Sequence, residues 1–127
     1  MSKNKNLLHV RLLWDIIKIR WLIFAQLEKE IIMYNIFVKY TCREGKRESF
    51  VESLKSAGIV DAIRGEKGCV RYDYYFSEKD PSELLLIEAW EDKEDQKVHM
   101  TQPHMNELRK YSAECIVSTE FGEFDLL

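Results

Sequence analysis

Cysteine is scarce in this chain of 127 residues. Cys42, Cys69 and Cys115 are odd in number, widely spaced and form no C-x-x-C pair. That pattern supports neither a disulfide framework nor a thiolate zinc site, and it fits the reducing cytoplasm. Signature loops are missing as well. No G-x-G-x-x-G or Walker loop is present for a nucleotide, and no G-x-S-x-G elbow for acyl transfer, so nicotinamide and phosphate chemistry have no support. There is no basic excess: 19 Lys and Arg stand against 22 Asp and Glu, a net charge of −3 with pI near 5.7. A nucleic-acid partner would need a basic face to neutralise phosphates, so none is expected. Long apolar runs are absent too. The longest, Trp21–Ala25, falls far short of the roughly 18 residues that cross a bilayer. Asp15, Lys18 and Arg20 also interrupt any secretory signal, and no small-residue cleavage site follows. No membrane partner is expected. What remains is 46% hydrophobic and 32% charged, one ordinary globular domain's worth of sequence.

The distribution along the chain is uneven. All five glycines, both prolines and all three cysteines lie after residue 33, while two of the three tryptophans lie before it. Residues 1–32 carry six basic and three acidic side chains, a net of +3, and residues 33–127 a net of −6. Leu7–Ile32 reads as a helix rich in Leu, Ile and Trp, with Arg11, Asp15 and Lys18 sharing one face. An interfacial helix, a packing extension and an untranslated leader all fit such a segment. The third is the expectation, because Met33 directly precedes the first strand-like run. Lys29 and Glu30 are also encodable as a purine-rich ribosome-binding signal. The domain expected to carry function is 33–127.

Within it, Tyr34–Cys42 alternates β-branched and aromatic residues and predicts a strand. Phe50, Val51 and Leu54 sit at helical spacing in Glu48–Ala57. Gly58 then predicts a bend before Ile59, Val60 and Ile63 continue the apolar pattern. Cys69–Ser77 and Leu84–Glu91 predict two further strands joined as a hairpin by a turn containing Pro81. Lys93–Tyr111 is helical in composition, with Pro103 expected to kink or split it, and Glu114–Phe121 is the last strand. The order β-α-β-β-α-β is the split βαβ pattern of the ferredoxin-like α+β fold, a four-stranded antiparallel sheet with helices on one face. On the third strand Leu85, Ile87 and Ala89 share one face, and Leu84, Leu86, Glu88 and Trp90 the other. Phe37 opposes Ile36 and Val38 in the same way. A sheet apolar on both sides wants a second cover, so a homodimer packed sheet to sheet, a dimeric α/β barrel, is expected. Its pocket would lie between sheet and helices or at the dimer seam.

The two histidines of this domain, His99 and His104, both fall in HMTQPHM. On an unbroken helix they would point about 140° apart, and Pro103 opens the way for them to converge. They are candidates for proton transfer, against the plainer alternative of one surface and one packed histidine. As a metal pair, H-x4-H lacks the further carboxylate or cysteine ligands of a stable site, so no metal is expected. Trp90 and Glu88 read either as a dimer core with Glu88 paired to a base, or as a pocket wall beside a carboxyl whose pKa burial has raised. Tyr72 and Phe37 are the further pocket candidates.

The pieces E-x-G-C-x-x-Y, E-x-W-E and H-x-x-x-P-H, in that order, resemble the antibiotic biosynthesis monooxygenase family from Met33 to about Phe121. The resemblance implies a sheet-to-sheet homodimer. It also implies oxygenation of quinols or related electron-rich aromatics by dioxygen, without metal, flavin or other cofactor. His99 and His104 would handle protons, and Trp90 and Tyr72 would line the pocket. The haem-degrading branch is unlike this chain, which has Lys39–Thr41 where that branch has its asparagine and His99 where it has its tryptophan. Two alternatives share the scaffold. One is an isomerase of the type that processes phosphorylated autoinducer-2, for which Arg71 and Arg109 are phosphate-binding candidates. The other is a non-catalytic ligand-binding dimer.

Overall fold

The computed structural model describes residues 3–31 and 33–125. The chain divides into two units, Met1–Ile32 and Met33–Leu127. The first is a single helix, α1 (Lys3–Ile31), in which Trp21 meets Phe24 edge to face at 6.4 Å. Ile32, the last residue of the expected helix, lies outside the described residues. Among the described residues no helix is long and apolar enough to cross a membrane.

The second unit runs β1 (Tyr34–Cys42), α2 (Arg47–Ser56), α3 (Ile59–Arg64), β2 (Cys69–Phe76), β3 (Glu83–Trp90), α4 (Lys93–His99), α5 (Pro103–Cys115) and β4 (Ile116–Phe124). The strands pair antiparallel in the order β2-β3-β1-β4, the ferredoxin-like arrangement. Strand alternation decides the layers. Tyr40, Tyr72, Leu84, Leu86 and Trp90 turn to one face, where they form a single core with Phe50, Leu54, Ile59, Ile63, Met105 and Leu108 of the helices. Gly58, with φ of 74°, supplies the left-handed residue that separates α2 from α3. Pro103 opens α5 at its first turn, where the missing N–H costs nothing, so the predicted helix is split rather than kinked. Asp92 caps α4 by accepting a hydrogen bond from the Asp95 amide at 2.8 Å.

The boundary of the last strand differs from the expectation. Helix α5 runs through Cys115, because Leu108 and Cys115, two helical turns apart, both bury on the core side. β4 therefore starts at Ile116 and extends to Phe124.

The outer face of the sheet carries Phe37, Leu85 and Ile87, half-buried, beside exposed Tyr75. Ion pairs Lys39–Glu120 (2.6 Å) and Arg71–Asp73 (3.7 Å) flank them. Gly122 fits under the Phe37 ring, since a Cβ there would sit 2.6 Å from the ring edge.

Candidate functional site

Between the sheet and helices α4 and α5 lies a cavity of about 350 Å³. Its walls are apolar, with Ile36, Val38 and Tyr40 from β1, Phe121 from β4, and Met105 and Leu108 from α5. Among the polar side chains that line it are Glu88, His99, Gln96, Arg109 and Thr119. A mostly apolar pocket of this size with a few convergent polar groups is the usual form of a small-molecule site.

Glu88 is placed by β3, two residues before its hydrogen-bond donor. The indole N–H of Trp90 donates to Glu88 at 2.9 Å, both side chains lying on the helix-facing side of the sheet. Burial pushes the Glu88 carboxyl above the ordinary carboxylate range, against the opposing pull of the Trp90 hydrogen bond and the nearby His99. The expected buried carboxyl is therefore present, held by tryptophan and not by a basic residue.

His99 ends α4 and is almost wholly enclosed, 1% exposed. Its ring lies against Trp90, centroids 4.8 Å apart, and meets Tyr72 edge to face at 5.8 Å. Trp90 thus backs the histidine. His99 Nδ1 stands 3.0 and 3.1 Å from the two carboxylate oxygens of Glu66, and His104 Nε2 contacts the same carboxylate. When His99 Nδ1 carries the proton and donates to Glu66, Nε2 keeps its lone pair and the imidazole is a base. The chain of groups His99–Glu66–His104 leads from the enclosed cavity wall to a side chain 23% exposed, a route by which a proton can leave.

Sequence spacing alone missed Glu66. It lies in the turn between α3 and β2, 33 and 38 residues from its two partners. The turn that places it depends on Gly68, with φ of 79°, where a Cβ would sit 2.1 Å from Asp95 Oδ2. The glutamate two residues before this glycine, in E-x-G-C, was the available signal.

Of the expected site residues, His99, His104, Trp90, Glu88 and Tyr72 come together on the helix-facing side. Phe37 does not. Its neighbours Ile36 and Val38 line the cavity, so strand alternation sends Phe37 to the outer face, over Gly122. Arg71 likewise pairs in register with Ala89 on the outer side, whereas Arg109 lines the cavity. Burial pushes the Cys69 thiol up to about 11, which disfavours its thiolate at neutral pH.

A family model described as antibiotic biosynthesis monooxygenase matches residues 33–111. Among solved structures, the chain is similar to a conserved protein from Methanosarcina mazei, with 22% identity and a TM-score of 0.70 over 78% of this chain and 97% of that one. It is also similar to Rv0793 from Mycobacterium tuberculosis, with 24% identity and a TM-score of 0.62 over 75% and 95%. At these identities the likeness is one of fold. An uncharacterised protein of Synechocystis is 26% identical over 86 residues, 68% of this chain and 54% of that protein. The chain thus spans about half the length of the curated relative it matches.

Proposed function

The chain belongs to the antibiotic biosynthesis monooxygenase family, and from that membership we propose that it is a cofactor-independent monooxygenase of quinols or related electron-rich aromatics. The observation that carries this reading is a hydrogen-bonded base on the wall of an otherwise apolar cavity: His99, oriented by Glu66, faces the same space as Ile36, Val38, Tyr40 and Leu108. A flat one- or two-ring substrate suits that volume. Removing a proton from such a substrate makes an electron-rich anion, and apolar walls exclude the water that would quench it. The anion passes an electron to dioxygen, a carbon–oxygen bond forms, and the hydroperoxide loses water. One oxygen atom stays in the product, and the other leaves with two hydrogens of the substrate. His99 takes the first proton, with Glu66 and His104 as its exit. Glu88 and Tyr72 shape the pocket, and Trp90 fixes the His99 ring.

The reading includes a homodimer, supported by Phe37, Leu85, Ile87 and Tyr75 on the sheet face opposite the one that packs against α2, α3 and α5. It also includes a cytoplasmic setting, which three unpaired thiols favour. An isomerase of phosphorylated substrates is the second reading, and Arg109 beside His99 in the cavity is what favours it.

The test is aerobic incubation with a panel of small quinols, following oxygen uptake by wild type and His99→Ala. Protein-dependent uptake that falls about 10²-fold or more in the variant supports the base assignment. No uptake with any member of the panel, together with turnover of a phosphorylated hydroxyketone, favours the isomerase.

A further inference from the structure

The three groups that hold His99 in place are also a ligand set. We infer that Glu66, His99 and His104 form a binding site for a divalent transition-metal ion, with zinc the best match.

Three observations lead there. The first is the donor set. His99 Nδ1, His104 Nε2 and a Glu66 oxygen all lie within 4.8 Å of one another. Zinc binds nitrogen and carboxylate oxygen at about 2.0–2.2 Å, which places tetrahedral neighbours about 3.3 Å apart. The His99–Glu66 separation of 3.0 Å is already close to that edge length. Small movements of His104, the most exposed of the three, open the remaining edges.

The second is charge. The Glu66 side chain is 11% exposed, and its ion-pair partners among the described residues are the two imidazoles, with no Lys or Arg within reach. Its sequence neighbour Lys67 turns instead to Asp95, at 3.8 Å. A carboxylate this enclosed calls for a positive partner, and a cation held between it and the two imidazole nitrogens is one.

The third is rigidity. The ligands come from three separate elements: the α3–β2 turn, the end of α4 and the start of α5. His99 is clamped between Trp90 and Tyr72. The helix break before Pro103 brings together two histidines that an unbroken helix would hold about 140° apart. The exposed flank at His104 leaves room for a water as fourth ligand, the open coordination of zinc sites with three protein ligands. Imidazole and carboxylate donors also rank zinc well above the hard cations magnesium and calcium.

Ligation through Nδ1 leaves the His99 proton on Nε2, the nitrogen that the proposed oxygenation needs free. Metal-loaded and base-competent protein are then mutually exclusive states. That consequence rests on the proposed function, whereas the binding does not.

The test is calorimetric titration of the full-length chain, freed of metal with EDTA, with zinc chloride. It is run on wild type, Glu66→Gln and His104→Ala, with magnesium chloride as control. Circular dichroism checks that each variant is folded, and the half-exposed position of His104 keeps the test sound if Glu66→Gln fails to fold. Expected are one zinc per chain in wild type, no magnesium binding, and at least a tenfold loss of zinc affinity in each folded variant. Cobalt substitution should add the visible bands of a four-coordinate ion. Absence of saturable zinc binding, or wild-type affinity in either folded variant, overturns the inference. Because no activity is read, these outcomes are separate from success or failure of the quinol assay.

Discussion

Glu88→Gln should make the protein more stable at neutral pH while impairing its pocket. The Glu88 carboxylate sits in the core face of β3 with the Trp90 indole as its hydrogen-bond donor. Removing a carboxylate from water costs several kcal/mol, and one charge-assisted hydrogen bond returns about 1.5–3 kcal/mol. A glutamine of the same shape avoids the charge cost and keeps the indole bond to its amide oxygen at about 1 kcal/mol. The net gain is about 2 kcal/mol, within the range for a buried polar change. The sign of the pH dependence follows from linkage. Burial raises the Glu88 pKa in the folded state, so the folded protein holds this proton more tightly than the unfolded chain does. Wild type therefore loses stability as pH rises from the ordinary carboxylate range through the raised folded pKa, and the loss is complete above it. The glutamine variant lacks this loss. Urea denaturation of both proteins at pH 4 and pH 7 reads it directly. The variant's advantage should be small at the lower pH and larger at the higher one. A variant less stable than wild type at pH 7, or a difference equal at both pH values, refutes the reasoning.

Gly68→Ala should destabilise the domain by about 3 kcal/mol, as a left-handed residue acquires a side chain and the buried Asp95 carboxylate is pushed aside. Urea midpoints measure this, and a change under about 0.5 kcal/mol would mean the turn adapts freely. Ile87→Lys places a charge at the centre of the outer sheet face and should convert a dimer to a monomer of unchanged helicity. Light scattering at micromolar concentration checks both proteins, and a monomeric wild type contradicts the dimer outright.

The strands were legible because period-two alternation is a local property: Tyr34–Cys42 carries its whole pattern within nine residues, and the observed β1 has the same limits. The split at Pro103 was legible for the same reason, a missing donor acting on its own backbone. The end of α5 was less so, because the β-branched run that follows Cys115 blurs the limit of the helix in sequence and the burial of Cys115 against distant residues decided the boundary. Phe37 shows a different loss. Its alternation with Ile36 and Val38 was plain, yet a pocket drawn at a dimer seam absorbed both faces of β1, and only the folded sheet separates them. Glu66 was the least legible of all, since its partners lie on α4 and α5 and their spacing in sequence carries no trace of the turn that brings it between them.

The central claim of the proposed function is that dioxygen, activated by a substrate anion made at His99, supplies the product oxygen. The most direct measurement is turnover of an active quinol under isotopically labelled dioxygen, with mass analysis of the product for wild type and His99→Ala. One labelled oxygen atom per product molecule, formed at a rate that collapses in the variant, is the predicted result. A product whose new oxygen comes from water, or label incorporated equally fast without His99, contradicts it.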